Sequence, residues 1–159
     1  MATAPNDRLI AVHLDASIGT GLNPDAEHER RIAIYDLLEE NVFAVAGRNE
    51  GPYRLELSTA ENRLVFDIFS AAEERVTMIG LSMSPFRRIV KDYFLICESY
   101  FKAIRNASPS QIETIDMARR GLHDEGSEIL RERLAGKVET DTATARRLFT
   151  LLCVLHWRG

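Results

Sequence analysis

Between Ser84 and Ile104 the chain alternates in a rhythm that only a helix satisfies. Apolar residues fall at Phe86, Ile89, Val90, Tyr93, Phe94, Ile96, Cys97, Tyr100, Phe101 and Ile104. That is three- and four-residue spacing, broadened beyond one narrow stripe. Arg88, Lys91, Glu98, Lys102 and Arg105 form the remaining polar strip. Such a helix needs cover on several sides, so the pattern predicts the central core helix. Ser84 reads as its cap and Pro85 as its first residue, where the missing N–H costs nothing.

The pattern before this helix is different. Arg8 to Asp15 is apolar enough for a strand, and Ala16 to Leu22, with Gly19-Thr20-Gly21, reads as a loop. Asn23-Pro24 predicts a helix start, with Ile32, Tyr35, Leu38 and Val42 inward and Ile34 and Leu37 beside them. Tyr53-Leu55-Leu57, Leu64-Phe66-Ile68 and Val76-Met78-Gly80 then alternate with polar residues across short turns. Connections this short predict an antiparallel meander. After the central helix, Ser108-Pro109-Ser110-Gln111 is a capping-box start. Its helix turns Ile112, Ile115, Ala118, Leu122, Ile129 and Leu130 inward. Gly121 and Gly126 within it call for a break or a close crossing, and Gly136 ends it. A last helix starts near Thr140-Asp141 and becomes apolar nearly all round. The fold class is α+β: a small antiparallel sheet packed with four helices, with Arg8 to Asp15 as a candidate fourth strand and an all-helical C-terminal half. One domain over 1–159 is expected, with 1–7 as a loose tail.

Composition narrows the class. Of 159 residues, 45% are hydrophobic and 28% charged, which suits a globular domain. No apolar run reaches the ~20 residues of a membrane helix, and the N-terminus lacks the features of a secretory signal. Cys97 and Cys153 sit in apolar helical patterns and read as buried thiols of a reducing compartment. A cytoplasmic location is expected, without a membrane partner. The net charge of −4 hides an asymmetry: residues 1–83 carry 7 basic and 14 acidic groups, and residues 84–159 carry 13 and 10. The halves complement each other, or the second half offers a basic face to an anion. The excess is too small for a nucleic-acid binder.

The candidate chemistry is mostly arginine. There are 17 Arg and 3 Lys, with adjacent pairs at Arg30-Arg31, Arg87-Arg88, Arg119-Arg120 and Arg146-Arg147. Guanidinium forks suit carboxylates and phosphates, so Arg87, Arg88, Lys91, Arg119, Arg120 and Arg146 are candidates for binding an anion or partner. Two pairs fall near a helix start, where positive charge is disfavoured unless an anion compensates. Asp116, Arg120, His123 and Ser127 share one helical face. Asp116, Arg120 and His123 could orient an anionic substrate and move a proton; ordinary surface ion pairs give the same spacing. No His has metal-ligand spacing, so no metal is expected. Gly19-Thr20-Gly21 lacks the rest of either phosphate-loop pattern. No cofactor is expected.

Three long blocks carry a resemblance: PFRRIVKDYFLICESYFKAI, IDMARRGLHDEGSEIL and TARRLFTLLCVLHWRG. With DAEHERRIAIYDLLEEN and GPYRLELS, they resemble a small bacterial family, number 0262 in the uncharacterised protein family series. The resemblance implies a cytoplasmic bacterial protein and brings no activity, cofactor or catalytic residue with it. The leading expectation is a non-catalytic binding or regulatory module with an Arg-rich helical surface for an acidic protein or small anion. The alternative is a small enzyme acting on a carboxylated or phosphorylated metabolite through Asp116, Arg120 and His123.

Overall fold

The computed structural model describes residues 5–15 and 24–155. The Gly19-Thr20-Gly21 loop, the Asn23 cap, His156 and Trp157 lie outside them. Strands β1 (Leu9–Leu14), β3 (Tyr53–Ala60), β4 (Arg63–Ser70) and β5 (Arg75–Ser82) form one sheet in the order β1-β3-β4-β5. The meander β3-β4-β5 is antiparallel, as its short turns require, and β1 joins β3 in parallel. A parallel neighbour needs a crossover. Helix α1 (Pro24–Glu39) and strand β2 (Phe43–Val45) supply it.

One sheet face carries the core: Tyr53, Leu55 and Leu57, then Leu64, Phe66 and Ile68, then Val76, Ile79 and Leu81. The third set departs from the expected Val76-Met78-Gly80. Ile68 pairs with Thr77 but Phe69 with Arg75, so the register slips by one residue at Val76. That bulge reverses which face the following residues occupy. Met78 is accordingly 53% exposed, and Ile79 is buried.

A second, two-stranded sheet pairs β2 with β6 (Val138–Thr140), antiparallel. Three-residue strands are too short to leave a period in a sequence. This sheet ties the end of α1 to the connection before the last helix. Asn41 reinforces the tie: its amide donates to the Leu9 and Leu37 carbonyls at 3.0 and 2.7 Å and accepts the Leu9 N–H at 2.7 Å. The Asp7 carbonyl accepts the Phe43 N–H at 2.8 Å.

The helices are α1, α2 (Ser84–Asn106), α3 (Pro109–Leu134) and α4 (Thr142–Leu155). Helix α1 packs on α4 and β1 through Ala33 and Leu37, not through Ile32 and Tyr35, which are 46% and 66% exposed. Val42, counted in the expected face, lies past the helix end and is out of phase, and the small Ala33 lets α4 approach. Helix α2 is capped by Met83, whose carbonyl accepts from the Phe86 and Arg87 N–H groups; Ser84 is its first residue and gives no side-chain cap. Pro85 fits because the second position also lacks an N–H partner. Phe86, Ile89, Val90, Tyr93 and Cys97 are buried, Phe94, Ile96, Tyr100 and Phe101 are half-buried, and Ile104 is exposed. The wide stripe is thus covered over its first half and thins towards its end. Helix α3 has the expected capping box between Ser108 and Gln111. It turns Leu130 and Leu134 fully inward, with Ile112, Ile115, Leu122 and Ile129 half-buried and Ala118 exposed. Asp141 caps α4, its carboxylate accepting the Thr144 N–H at 2.8 Å. Cys97 and Cys153 are buried free thiols. Among the described residues no helix is long and apolar enough to cross a membrane.

The two helical glycines differ in kind. A Cβ on Gly126 would stand 2.1 Å from Cζ of Phe149 on α4, whereas one on Gly121 would meet nothing within 4 Å. Gly126 is the close crossing; Gly121 is open surface. Gly126→Ala should therefore cost ~1–3 kcal/mol by overpacking, and Gly121→Ala should stabilise by ~0.8–1 kcal/mol through helix propensity. Urea midpoints of the two variants check this; equal midpoints would contradict the crossing.

Candidate functional site

The crossing at Gly126 makes Phe149 a shared ring. Its edge-on neighbours are Tyr93 of α2 and His123 of α3, at centroid distances of 6.0 and 5.2 Å, and Tyr93 and His123 are 5.4 Å apart. His123 Nε2 lies 2.8 Å from Thr150 Oγ1. Thr150 donates its own hydroxyl to the Arg146 carbonyl at 3.2 Å, and Ser127, 3.4 Å from His123 Nδ1, donates to the His123 carbonyl at 2.7 Å. With both hydroxyl hydrogens directed to carbonyls, the imidazole donates from Nε2 to Thr150. Burial lowers the His123 pKa from 6.5 to about 4; Arg146 and Arg119 push the same way and Asp124 opposes them. His123 is therefore neutral at neutral pH, with its proton already placed.

Above this cluster α1, α3 and α4 enclose a cleft of about 450 Å³, with Tyr93 of α2 among its lining. Arg119 and Arg120 enter from α3, Arg146 and Arg147 from α4, and Glu29 and Asp36 from α1. Arg119 lies over the Tyr100 ring at 4.4 Å and bonds Asp116 at 2.7 Å. Arg120 reaches the other oxygen of Asp116 at 3.2 Å. The hydrogen bond from Arg119 is the main cause that lowers the Asp116 pKa; desolvation opposes it, and the charges of Arg119 and then Arg120 add to the lowering. Arg146 pairs with Asp124. Arg147, on the same wall, donates to the Glu40 carbonyl at 3.3 Å.

The cleft gathers three of the six binding candidates, Arg119, Arg120 and Arg146, and one catalytic candidate besides Arg120, His123. Asp116 stands beside it, held between its two arginines. Arg87 and Lys91 line a separate pocket, and Arg88 is apart from both, its side chain 95% exposed and 3.7 Å from Asp92. Arg147, Thr150, Glu29 and Asp36 were not singled out from the sequence as site residues. Arg147 was legible as half of an arginine pair. Thr150 carried no signal, because its partner His123 is 27 residues away. Among the described residues no group of three metal-ligating side chains comes together. Chemically the cleft can hold an anion with planar, bidentate donors.

A family model described as "Uncharacterised protein family (UPF0262)" matches residues 6–158. The chain belongs to UPF0262. A UPF0262 protein of Brucella anthropi is 60% identical over 159 residues, 99% of each chain. One from Brucella canis is 59% identical over the same span. One from Rhizobium etli is 60% identical over 152 residues, 96% of each chain. No solved structure matches this UPF0262 chain.

The state of His123 has a measurable consequence. Its folded pKa, about 4, lies below its ordinary 6.5. The unfolded chain therefore binds the proton more tightly, and stability falls as pH drops from 6.5 towards 4. The full loss is on the order of 3 kcal/mol. Urea midpoints should fall steadily across that window, and His123→Gln should flatten the upper part of it, above the carboxylate range. An unchanged slope in the variant would contradict a buried neutral His123.

Proposed function

We propose that this UPF0262 chain is a cytoplasmic, non-catalytic binding module whose arginine cleft captures a small carboxylated or phosphorylated ligand. One observation carries the reading: Arg119, Arg120, Arg146 and Arg147 line the same cleft. Four guanidinium groups in one place repel each other unless anions offset them. Asp116 and Asp124 offset part of this charge from outside the lining, and Glu29 and Asp36 face it from α1. Arg120 shares its carboxylate with Arg119, and among the described residues Arg147 has a backbone carbonyl and no carboxylate as its partner. These two have the most bonding capacity left for a ligand.

The protonation states favour binding over catalysis. His123 is neutral with Nε2 bonded to Thr150, and Asp116 is favoured in its ionised form by two arginines. Neither is poised near neutral pH to exchange a proton with a substrate. The enzyme reading through Asp116, Arg120 and His123 rests on the presence of His123 and Arg120 in one cleft. The net charge of −4 argues against nucleic acid as the partner.

The expected result is a saturable rise in melting temperature with inorganic phosphate or succinate, since a ligand that binds only the folded state stabilises it. Arg120→Ala combined with Arg147→Ala should abolish the rise and leave the melting temperature without ligand nearly unchanged. A wild-type protein unmoved by either anion would overturn the proposal, and a rise that persists in the double variant would place binding elsewhere.

A further inference from the structure

The remaining binding candidates lead to a second pocket of different chemistry. It lies between the first three turns of α2 and the hairpin turn joining β3 to β4, with a volume of about 550 Å³. That is within the range of small-molecule sites, ~300–1,000 Å³. From α2 come Arg87 and Lys91 on one stretch of the wall and Val90, Phe94 and Leu95 on the next. Residues at these spacings share one helical stripe, so a cationic section runs directly into an apolar one. Val90 is buried, Phe94 half-buried and Leu95 54% exposed, so the apolar section grades from core to open surface.

The opposite wall is built at a conformational cost. Glu61 and Asn62 form the two-residue turn with φ of 51° and 65°, a region that favours glycine. Asn62 tolerates it; glutamate is disfavoured there by about 1–2 kcal/mol. Helix α2 holds the turn in place: the Asn62 carbonyl accepts the Met83 N–H at 3.1 Å, and its side-chain oxygen accepts from Arg87. Arg87 is thereby positioned by a neutral amide. Among the described residues neither Arg87 nor Lys91 has a carboxylate partner. Arg87 stands at the end of the first turn of a 23-residue helix, where the backbone already favours an anion, and Lys91 stands one turn further along the same stripe.

We propose that this pocket binds an amphipathic monocarboxylate, with its head group at Arg87 and Lys91 and its hydrocarbon part along Val90, Phe94 and Leu95. Two cations beside one exposed carboxylate, Glu61, leave one net positive charge among the lining residues, which suits one negative charge. The contiguous apolar wall requires a hydrocarbon portion that inorganic phosphate lacks. The site is separate from the arginine cleft and shares no lining residue with it.

Calorimetric titration with octanoate tests the proposal, with octan-1-ol and inorganic phosphate as the uncharged and purely anionic comparisons. Octanoate should bind saturably, octan-1-ol at least about tenfold more weakly, and phosphate should not compete. Lys91→Gln and Leu95→Asp alter exposed side chains without ion pairs, so both should fold, and each should weaken octanoate about tenfold or more. Arg120→Ala with Arg147→Ala should leave octanoate binding intact, which separates this site from the cleft. No octanoate binding by the wild type, equal binding by both pocket variants, or competition by phosphate would overturn it.

Discussion

The contact between Gly126 and the ring of Phe149 sets the helical half. A side chain at 126 would occupy the ring's position, so α3 and α4 approach closely only because none is there. Phe149 then brings Tyr93 and His123 into one aromatic cluster, and His123 lands on Thr150. The pairs His123–Thr150 and Arg131–Thr142 show that the two helices run antiparallel. Arg119 stands one turn before His123, and Arg146 one turn before Thr150. In an antiparallel pair those positions flank the central bond from opposite ends. The arginine cleft is thus a consequence of one glycine and the register it permits.

The charge asymmetry between the halves resolves locally. In the acidic front half, Arg54 pairs with Glu56 and Glu73, and Arg75 with Asp67, across the solvent face of the sheet, where both arginines also lie over Phe69. In the basic second half, Asp116 and Asp124 serve Arg119, Arg120 and Arg146. The halves meet electrostatically at the cleft, where Glu29 and Asp36 of α1 stand opposite four arginines. Complementary halves and a basic face for an anion are therefore not exclusive. The acidic wall limits the positive charge without removing the guanidinium forks that recognise a planar anion.

Periodicity carried the fold where a segment was long. The capping box at Ser108, the alternation in β3 and β4 and the buried stripe of α2 were all legible, because each follows from spacing alone. The errors arose where one residue changed the phase. The slip at Val76 exchanged Met78 for Ile79, and the end of α1 before Val42 moved its buried face from Ile32 and Tyr35 to Ala33 and Leu37. The parallel placement of β1 and the β2–β6 pair depend on contacts distant in sequence. At the site, the arginine pairs were visible but their sorting was not. Neighbours on a helix point about 100° apart, so Arg87 and Arg88 part company while Arg119 and Arg120 share a carboxylate. Only the crossing at Gly126 decides which of the pairs meet.

In the proposed function the four cleft arginines act as one site, and their own side-chain signals report on it. In ¹H–¹⁵N spectra of the guanidinium Nε–H groups, titration with inorganic phosphate should shift Arg119, Arg120, Arg146 and Arg147 together along one saturation curve. Arg88, solvent-exposed and outside both pockets, should stay in place. Four signals that do not move, or shifts spread evenly over Arg88 and the cleft arginines alike, would contradict a single arginine site.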